Sequence, residues 1–303
     1  MSRYTIYGLT VASELACPEL LPAVGDGSPD VAVLLGRVPE RIADPLHDDG
    51  HLQIGPGAFQ VLIDGVARYR VTGGRTVVVD PLAGADEGDV RLYLLGTVLG
   101  AALHQRGRLP LHGAAMAVDG RVHVFCGDSG AGKSTLAAAL NRRGLPLLCD
   151  DVGVVAPEAD GTVRFFPGFP RLKLWRDTLD HFGIDPRPLV RDRTRTAKYH
   201  LRLRAAFHSQ PLPLAGVYLL DRAEADAPPT VEPLTRYETI ATLIAHTYRR
   251  ALVRRIGDPA GHLHQCARIA ARVAGYRFRR PWSLARLDES AERLLEPVRR
   301  GRG

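Results

Sequence analysis

Residues 127–134 read Gly127-Asp128-Ser129-Gly130-Ala131-Gly132-Lys133-Ser134, a full match to the phosphate-loop pattern G-x-x-x-x-G-K-[ST]. Glycines at these spacings let successive backbone N–H groups turn inward onto a polyphosphate, and the helix that follows adds its positive end. Lys133 is placed to reach the β- and γ-phosphates, and the Ser134 hydroxyl to ligate Mg²⁺. The flanks fit this reading. Arg121–Cys126 alternates like a strand, and Thr135–Arg143 is rich in Ala and Leu and predicts a helix. The nucleotide-binding set is therefore Gly127, Asp128, Ser129, Gly130, Ala131, Gly132, Lys133, Ser134 and Thr135, with ATP or another nucleoside triphosphate and Mg²⁺ as the expected cofactors.

One helix and one turn later comes Asp150-Asp151, closing the short apolar run Leu145–Cys149. An acid at the end of an apolar strand is what Mg²⁺ coordination beside a phosphate loop requires. Two adjacent acids permit a division of labour, in which one orients the metal and the other takes a proton from an incoming hydroxyl. A solvated acidic turn is the plain alternative. His112 lies in the strand Leu111–Val118, which the Asp119-Gly120 turn joins to the phosphate-loop strand. It would position an acceptor or tune a carboxylate; spacing alone serves a core histidine equally well. Of 40 basic residues only Lys133, Lys173 and Lys198 are lysines, so a lysine in this arginine-biased chain marks a place where a point charge on a flexible stem is useful. For Lys173 and Lys198, ordinary surface residues are the competing reading. Arg171, Lys173 and Arg176 form a basic cluster suited to clamping phosphate oxygens.

The expected fold class is α/β: a phosphate-loop kinase core with a mixed sheet and a hairpin entering the loop, a β-rich N-terminal region (1–86) and a catalytic region (87–303) ending in basic helices. In the first region Tyr4–Val11, Asp30–Leu35, Ala58–Ile63, Ala67–Val71 and Arg75–Val79 read as strands between Gly-containing turns. Pro81–Gly88 reads as a linker and Asp89–Arg106 as a helix. Val152–Ala156, Val163–Phe166 and Leu214–Leu220 read as strands, Arg187–His200 as a mobile polar loop, and Tyr237 onward as mostly helical.

The chain has 303 residues, 45% hydrophobic and 24% charged, an ordinary globular balance. No apolar run approaches a membrane span, and Met1–Pro22 lacks signal-peptide organisation. Four scattered cysteines without a C-x-x-C pair point to a reduced, cytoplasmic protein. Net charge is +7, yet the segment from Arg249 onward carries +9. That tail reads either as a solvated arginine-rich surface or as a dock for an acidic peptide. No nucleic-acid-reading motif accompanies it, so no nucleic acid and no membrane are expected as partners. His262, His264 and Cys266 have soft ligands at helical spacing, where i and i+2 diverge, and the Asp221–Asp226 charge run reads as a solvated loop.

Taken together, Leu111-His112-Gly113-Ala114-Ala115, then GDSGAGKST, then Arg143-Gly-Leu-Pro-Leu-Leu-Cys-Asp150-Asp151-Val152 resemble the catalytic domain of HPr kinase/phosphorylase. The resemblance covers about 40 residues. The Tyr7–Ser13 start and Pro167–Trp175 are similar to a divergent branch that accompanies peptide-maturation clusters, including kinases of lasso-peptide precursors. It implies a serine kinase in which Asp151 is the general base, Asp150 and Ser134 serve the metal, His112 assists near the acceptor, and Lys133 holds nucleotide. It implies a peptide or small-protein substrate with an acceptor serine and, since HPr kinases are hexamers, a homo-oligomer. Two departures limit it. Thr135 stands where HPr kinases have Glu, and the later Glu-x-Arg-Gly signature is absent, so neither HPr as substrate nor reversal by inorganic phosphate carries over. Two other functions compete: a small-molecule alcohol kinase, and a nucleotide-dependent partner that delivers a peptide to another enzyme.

Overall fold

Asp119 and Gly120 both take positive φ, 50° and 72°, and turn the strand Leu109–Val118 back into Arg121–Cys126. This is the backbone twist that a two-residue hairpin between right-twisted strands requires. The pairing is antiparallel, from Val118↔Arg121 to Ala114↔Phe125. Cys126 ends the second strand, and the chain enters a loop whose Gly130 and Gly132 lie at φ 93° and 77°. Residues with a Cβ rarely adopt these values. The helix Lys133–Arg142 starts directly from Gly132. The structure, a computed structural model, describes residues 1–192, 197–256 and 258–300.

Beyond the helix, the expected short strand ending at the two acids is one long strand, Leu147–Pro157. Asp150 and Asp151 therefore sit within it, and Val152–Ala156 is its continuation. Charge does not break the strand because both carboxylates find donors, and a φ of 105° at Asp151 absorbs the irregularity. Val154–Pro157 then pairs with the strand Val163–Phe166. The seven-stranded sheet runs Arg121–Cys126, Leu109–Val118, Leu147–Pro157, Val163–Phe166, Leu212–Arg222, Ala274–Arg280, Thr230–Pro233, and Arg121–Cys126 also pairs with Leu212–Arg222. That contact and the next, to Ala274–Arg280, are parallel, so the sheet is mixed, as expected. The strand Ala274–Arg280 lies inside a segment expected to be mostly helical. Its buried Gly275, Phe278 and Arg280 are offset by less buried Tyr276, Arg277 and Arg279, and arginines on both faces hide the alternation.

A three-stranded sheet joins Arg171–Trp175, Lys198–Arg202 and Val190–Arg191. Residues 193–196 of the expected mobile loop lie outside the described residues, but its end is a strand, with Lys173↔His200 and Leu174↔Tyr199 in register. Leu136 and Leu140 of the loop helix share one buried cluster with Leu172, Leu174, Phe278 and Leu294. Burying each such side chain is worth about 1.5–3 kcal/mol.

The chain divides into two compact units, Met1–Pro110 with Thr247–Gln265 and Leu111–His246 with Cys266–Gly303. The division differs from the expected boundary at 86/87. The helical stretch, Glu87–Tyr93 through a π turn to Leu99–Gln105, falls in the first unit because it bonds to that unit's sheet. Tyr69 Oη donates to the Val90 carbonyl at 2.9 Å, and Gln105 Oε1 accepts from Gly74 N at 2.6 Å. The first unit carries a nine-stranded sheet over residues 2–81, in which the expected strand Tyr4–Val11 is a hairpin turning at Tyr7-Gly8. No helix among the described residues is long and apolar enough to cross a membrane.

His123, on the strand that feeds the loop, is buried with Nδ1 3.2 Å from the Tyr218 hydroxyl. Burial, reinforced by the Arg121 charge, pushes its pKa from 6.5 down to about 4. The unfolded imidazole thus takes up a proton that the folded one refuses. Stability is complete above pH 6.5 and falls towards pH 4 by up to about 1.4 kcal/mol per pH unit from this group. Denaturant unfolding across that window should show a shallower pH dependence for His123→Gln than for wild type; identical slopes would refute the assignment.

Candidate active site

The phosphate-loop residues, His112, the paired acids and the basic cluster all belong to the second unit, and the hairpin, the loop helix and the strands Leu147–Pro157 and Arg171–Trp175 bring most of them together. Asp128, Ser129 and Gly130 are exposed at the crown of the loop, while Lys133 is buried. Its Nζ donates to the Gly127 and Asp128 carbonyls at 2.7 and 3.0 Å. Burial pulls the ammonium below its ordinary range, opposed by the nearby Asp150 and Asp151 charges. A cation held against the loop's own carbonyls and partly desolvated is primed for anionic oxygens.

Ser134 Oγ donates to Asp150 Oδ1 at 2.7 Å, and the other carboxylate oxygen of Asp150 accepts from the Lys173 backbone N–H at 2.7 Å. Asp150 is 8% exposed. Burial raises its pKa, the Asp151 charge adds to this, and the two hydrogen bonds oppose it. Ser134 Oγ and Asp150 Oδ1 thus form a fixed pair of hard oxygen donors of the type Mg²⁺ and Ca²⁺ take.

Asp151 has different partners. Oδ1 lies 3.3 Å from His112 Nδ1, and Oδ2 lies 3.1 Å from Lys173 Nζ. Burial would raise its pKa, but the His112 hydrogen bond and the Lys173 charge outweigh this and hold the carboxyl well below the usual range. Its φ of 105° is a conformation that non-glycine residues seldom take. Consecutive strand residues ordinarily face opposite sides of a sheet, whereas here both acids reach the same residue, Lys173, one at its backbone and one at its ammonium.

Lys173 leads to two groups that sequence reasoning missed. Its Nζ is 4.0 Å from Asp192 Oδ2, which is 3.2 Å from His200 Nε2. Burial, with the Arg171 charge next, pushes His200 down to about 4 against the pull of Asp192. The only sequence signal lay in a polar stretch with no periodicity. A third missed residue is Arg280, whose Nη2 donates to the Ala131 and Gly132 carbonyls at 3.2 and 3.3 Å.

Other candidates lie elsewhere. Thr135 Oγ1 meets Thr178 Oγ1 at 3.3 Å. The Arg171 guanidinium stacks 4.5 Å over the Phe169 ring. Arg176, in the basic cluster, turns outward to Asp180 of its own helix at 2.8 Å. His262 Nε2 is 2.9 Å from Thr247 Oγ1, and all four cysteines are buried free thiols. Asp221 is not a solvated loop residue but accepts from Arg277 at 3.1 Å.

No family model matches the chain, and no curated protein matches it. Among solved structures it is similar to the HPr(Ser) kinase/phosphatase from Coxiella burnetii, at 12% sequence identity and a TM-score of 0.37, over 64% of this chain and 99% of that one. Superposition at that level says nothing of the chemistry, which rests on the residues themselves.

Because Lys173 grips Asp151 by its side chain and Asp150 by its backbone, the two grips are separable. Lys173→Met should shift the Asp151 titration up towards the ordinary carboxylate range, read by ¹³C-carboxyl NMR, and leave the Ser134–Asp150 contact in place. An unmoved Asp151 midpoint would assign the hold to His112 alone.

Proposed function

We propose that the chain is a P-loop kinase that transfers the γ-phosphoryl group of ATP, or another nucleoside triphosphate, to a serine hydroxyl of a peptide or small protein. The observation that carries this reading is the pair of adjacent acids with separate partners: Asp150 tied to the P-loop Ser134 at 2.7 Å and Asp151 tied to His112 and Lys173. A simple nucleotide-binding module needs the first acid; an ionised second one beside a lysine ammonium fits proton abstraction. Ser134 and Asp150 would hold Mg²⁺, which when bound neutralises charge on the phosphates.

In the reaction the acceptor oxygen attacks the γ-phosphorus, and the bond to the β,γ-bridging oxygen breaks with its electron pair leaving on the nucleoside diphosphate. The serine proton passes to Asp151. In the ion pair with Lys173, Asp151 is a weak base. Transfer of the Lys173 ammonium from Asp151 to phosphoryl oxygens raises the basicity of one group while adding positive charge to the other. His112 keeps its hold on Asp151 Oδ1 and fixes the direction in which Oδ2 faces. Lys133 supplies fixed charge along the phosphates. The preferred acceptor is a ribosomally made precursor peptide of the lasso type, on the resemblance of Tyr7–Ser13 and Pro167–Trp175 to the branch that accompanies peptide-maturation clusters.

The test is Asp151→Asn. Phosphoryl transfer should fall by roughly 10²–10⁴-fold, the usual contribution of a positioned general base, with nucleotide affinity retained. Transfer at the wild-type rate would remove Asp151 from the chemistry and the kinase reading with it.

A further inference from the structure

Arg280 is the one arginine among the described residues that is almost fully buried, at 3% exposure. It ends the strand Ala274–Arg280, which runs parallel to Leu212–Arg222, which in turn runs parallel to the P-loop strand Arg121–Cys126. The carboxyl ends of all three therefore open at one edge of the sheet, where ligands of open α/β sheets bind. The loop is anchored on that edge at both ends. Gly127 packs so tightly that a Cβ there would lie 3.3 Å from Leu220 Cβ, and the Arg280 guanidinium holds the Ala131 and Gly132 carbonyls.

Two residues past Arg280 is Trp282, 45% exposed and among the few large apolar side chains left to solvent. The Arg222 guanidinium lies over its ring, 5.3 Å from the centroid. Arg222 is the register partner of Arg280, and the next residue, Ala223, donates its N–H to the Arg280 carbonyl at 2.9 Å. An exposed indole backed by a cation is thus fixed beside the strand end that touches the P-loop. Pro281, which is buried, restricts the backbone between them.

The strand order gives this platform a direction. Asp150 and Asp151 lie on Leu147–Pro157, separated from the P-loop strand by Leu109–Val118, whereas Arg222 and Arg280 end the two strands on its opposite side. A nucleoside triphosphate whose terminal phosphate faces the acids has its base directed the other way. We propose that Trp282, backed by Arg222, is the nucleobase platform of the P-loop site, stacking the base of a nucleoside triphosphate without reading its edge. This rests on the kinase reading above for its ligand and adds the part of the site that separates a nucleotide from bare polyphosphate. Stacking on an aromatic face tolerates any base, with purines favoured by ring area.

The experiment compares ATP with inorganic tripolyphosphate, each with Mg²⁺, by isothermal titration of wild type, Trp282→Ala and Trp282→Phe. Trp282→Ala should weaken ATP binding by roughly 5- to 150-fold, the range for removing one stacking partner, and leave tripolyphosphate binding unchanged; Trp282→Phe should recover most of the ATP affinity. Unchanged ATP affinity in Trp282→Ala, or an equal loss for both ligands, would overturn the platform while leaving the P-loop assignment intact. Tripolyphosphate failing to bind the wild type would overturn the phosphate site itself and the platform with it.

Discussion

A single lysine reconciles two carboxylates that chain connectivity forces together. Side by side on one strand, a buried Asp150 and a half-buried Asp151 repel, and desolvation raises the cost of charging either. Lys173 answers both. Its backbone N–H donates to Asp150 at 2.7 Å, and its ammonium pairs with Asp151 at 3.1 Å. The backbone contact cannot leave without unzipping the strand Arg171–Trp175, while the side-chain contact ends on a flexible stem. One acid is therefore held by the backbone and the other by a side-chain charge. The opposite pKa shifts of Asp150 and Asp151 follow from this difference in partners rather than from any difference in residue type.

Much of this was legible in the sequence, and the legible parts share a cause. The G-x-x-x-x-G-K-[ST] stretch, the Asp119-Gly120 turn and the helix Lys133–Arg142 are local, because glycine spacing and short-range periodicity encode them. The paired acids and His112 were singled out from the strand end and the hairpin strand on which they sit, and the structure brings them within reach of one another. What escaped depends on tertiary pairing. Asp192 and His200 come to Lys173 only because Lys198–Arg202 adds to Arg171–Trp175 as a strand, and nothing in a polar, unpatterned segment announces that. Arg280 is one basic residue in a crowded series, and only the inward alternation of Ala274–Arg280 sets it apart. The two compact units likewise ignore composition. Residues 87–106 look as if they open a catalytic domain, yet their hydrogen bonds run to the N-terminal sheet.

The basic C-terminal stretch is less of a free surface than its net charge implies. Arg277 pairs with Asp221 and Glu238, Arg279 with Glu232, Arg286 with Glu289 and Arg293 with Glu296. Exposed pairs of this kind add little stability, typically 0–1 kcal/mol. They do spread charge that would otherwise concentrate in one patch. Arg280 differs from all of them in being buried against loop carbonyls, and burial draws its guanidinium down to about 10. There it serves the Ala131 and Gly132 carbonyls of the loop rather than a solvent-facing surface.

In the proposed reaction the two acids have separate tasks, Asp150 towards a metal and Asp151 towards a proton. Electron paramagnetic resonance of Mn²⁺, a stand-in for Mg²⁺, measures this directly when titrated into the protein with a non-hydrolysable ATP analogue. Mn²⁺ affinity should weaken at least tenfold in Asp150→Asn and stay close to wild type in Asp151→Asn. Equal losses in both variants, or the larger loss in Asp151→Asn, would contradict that division of tasks.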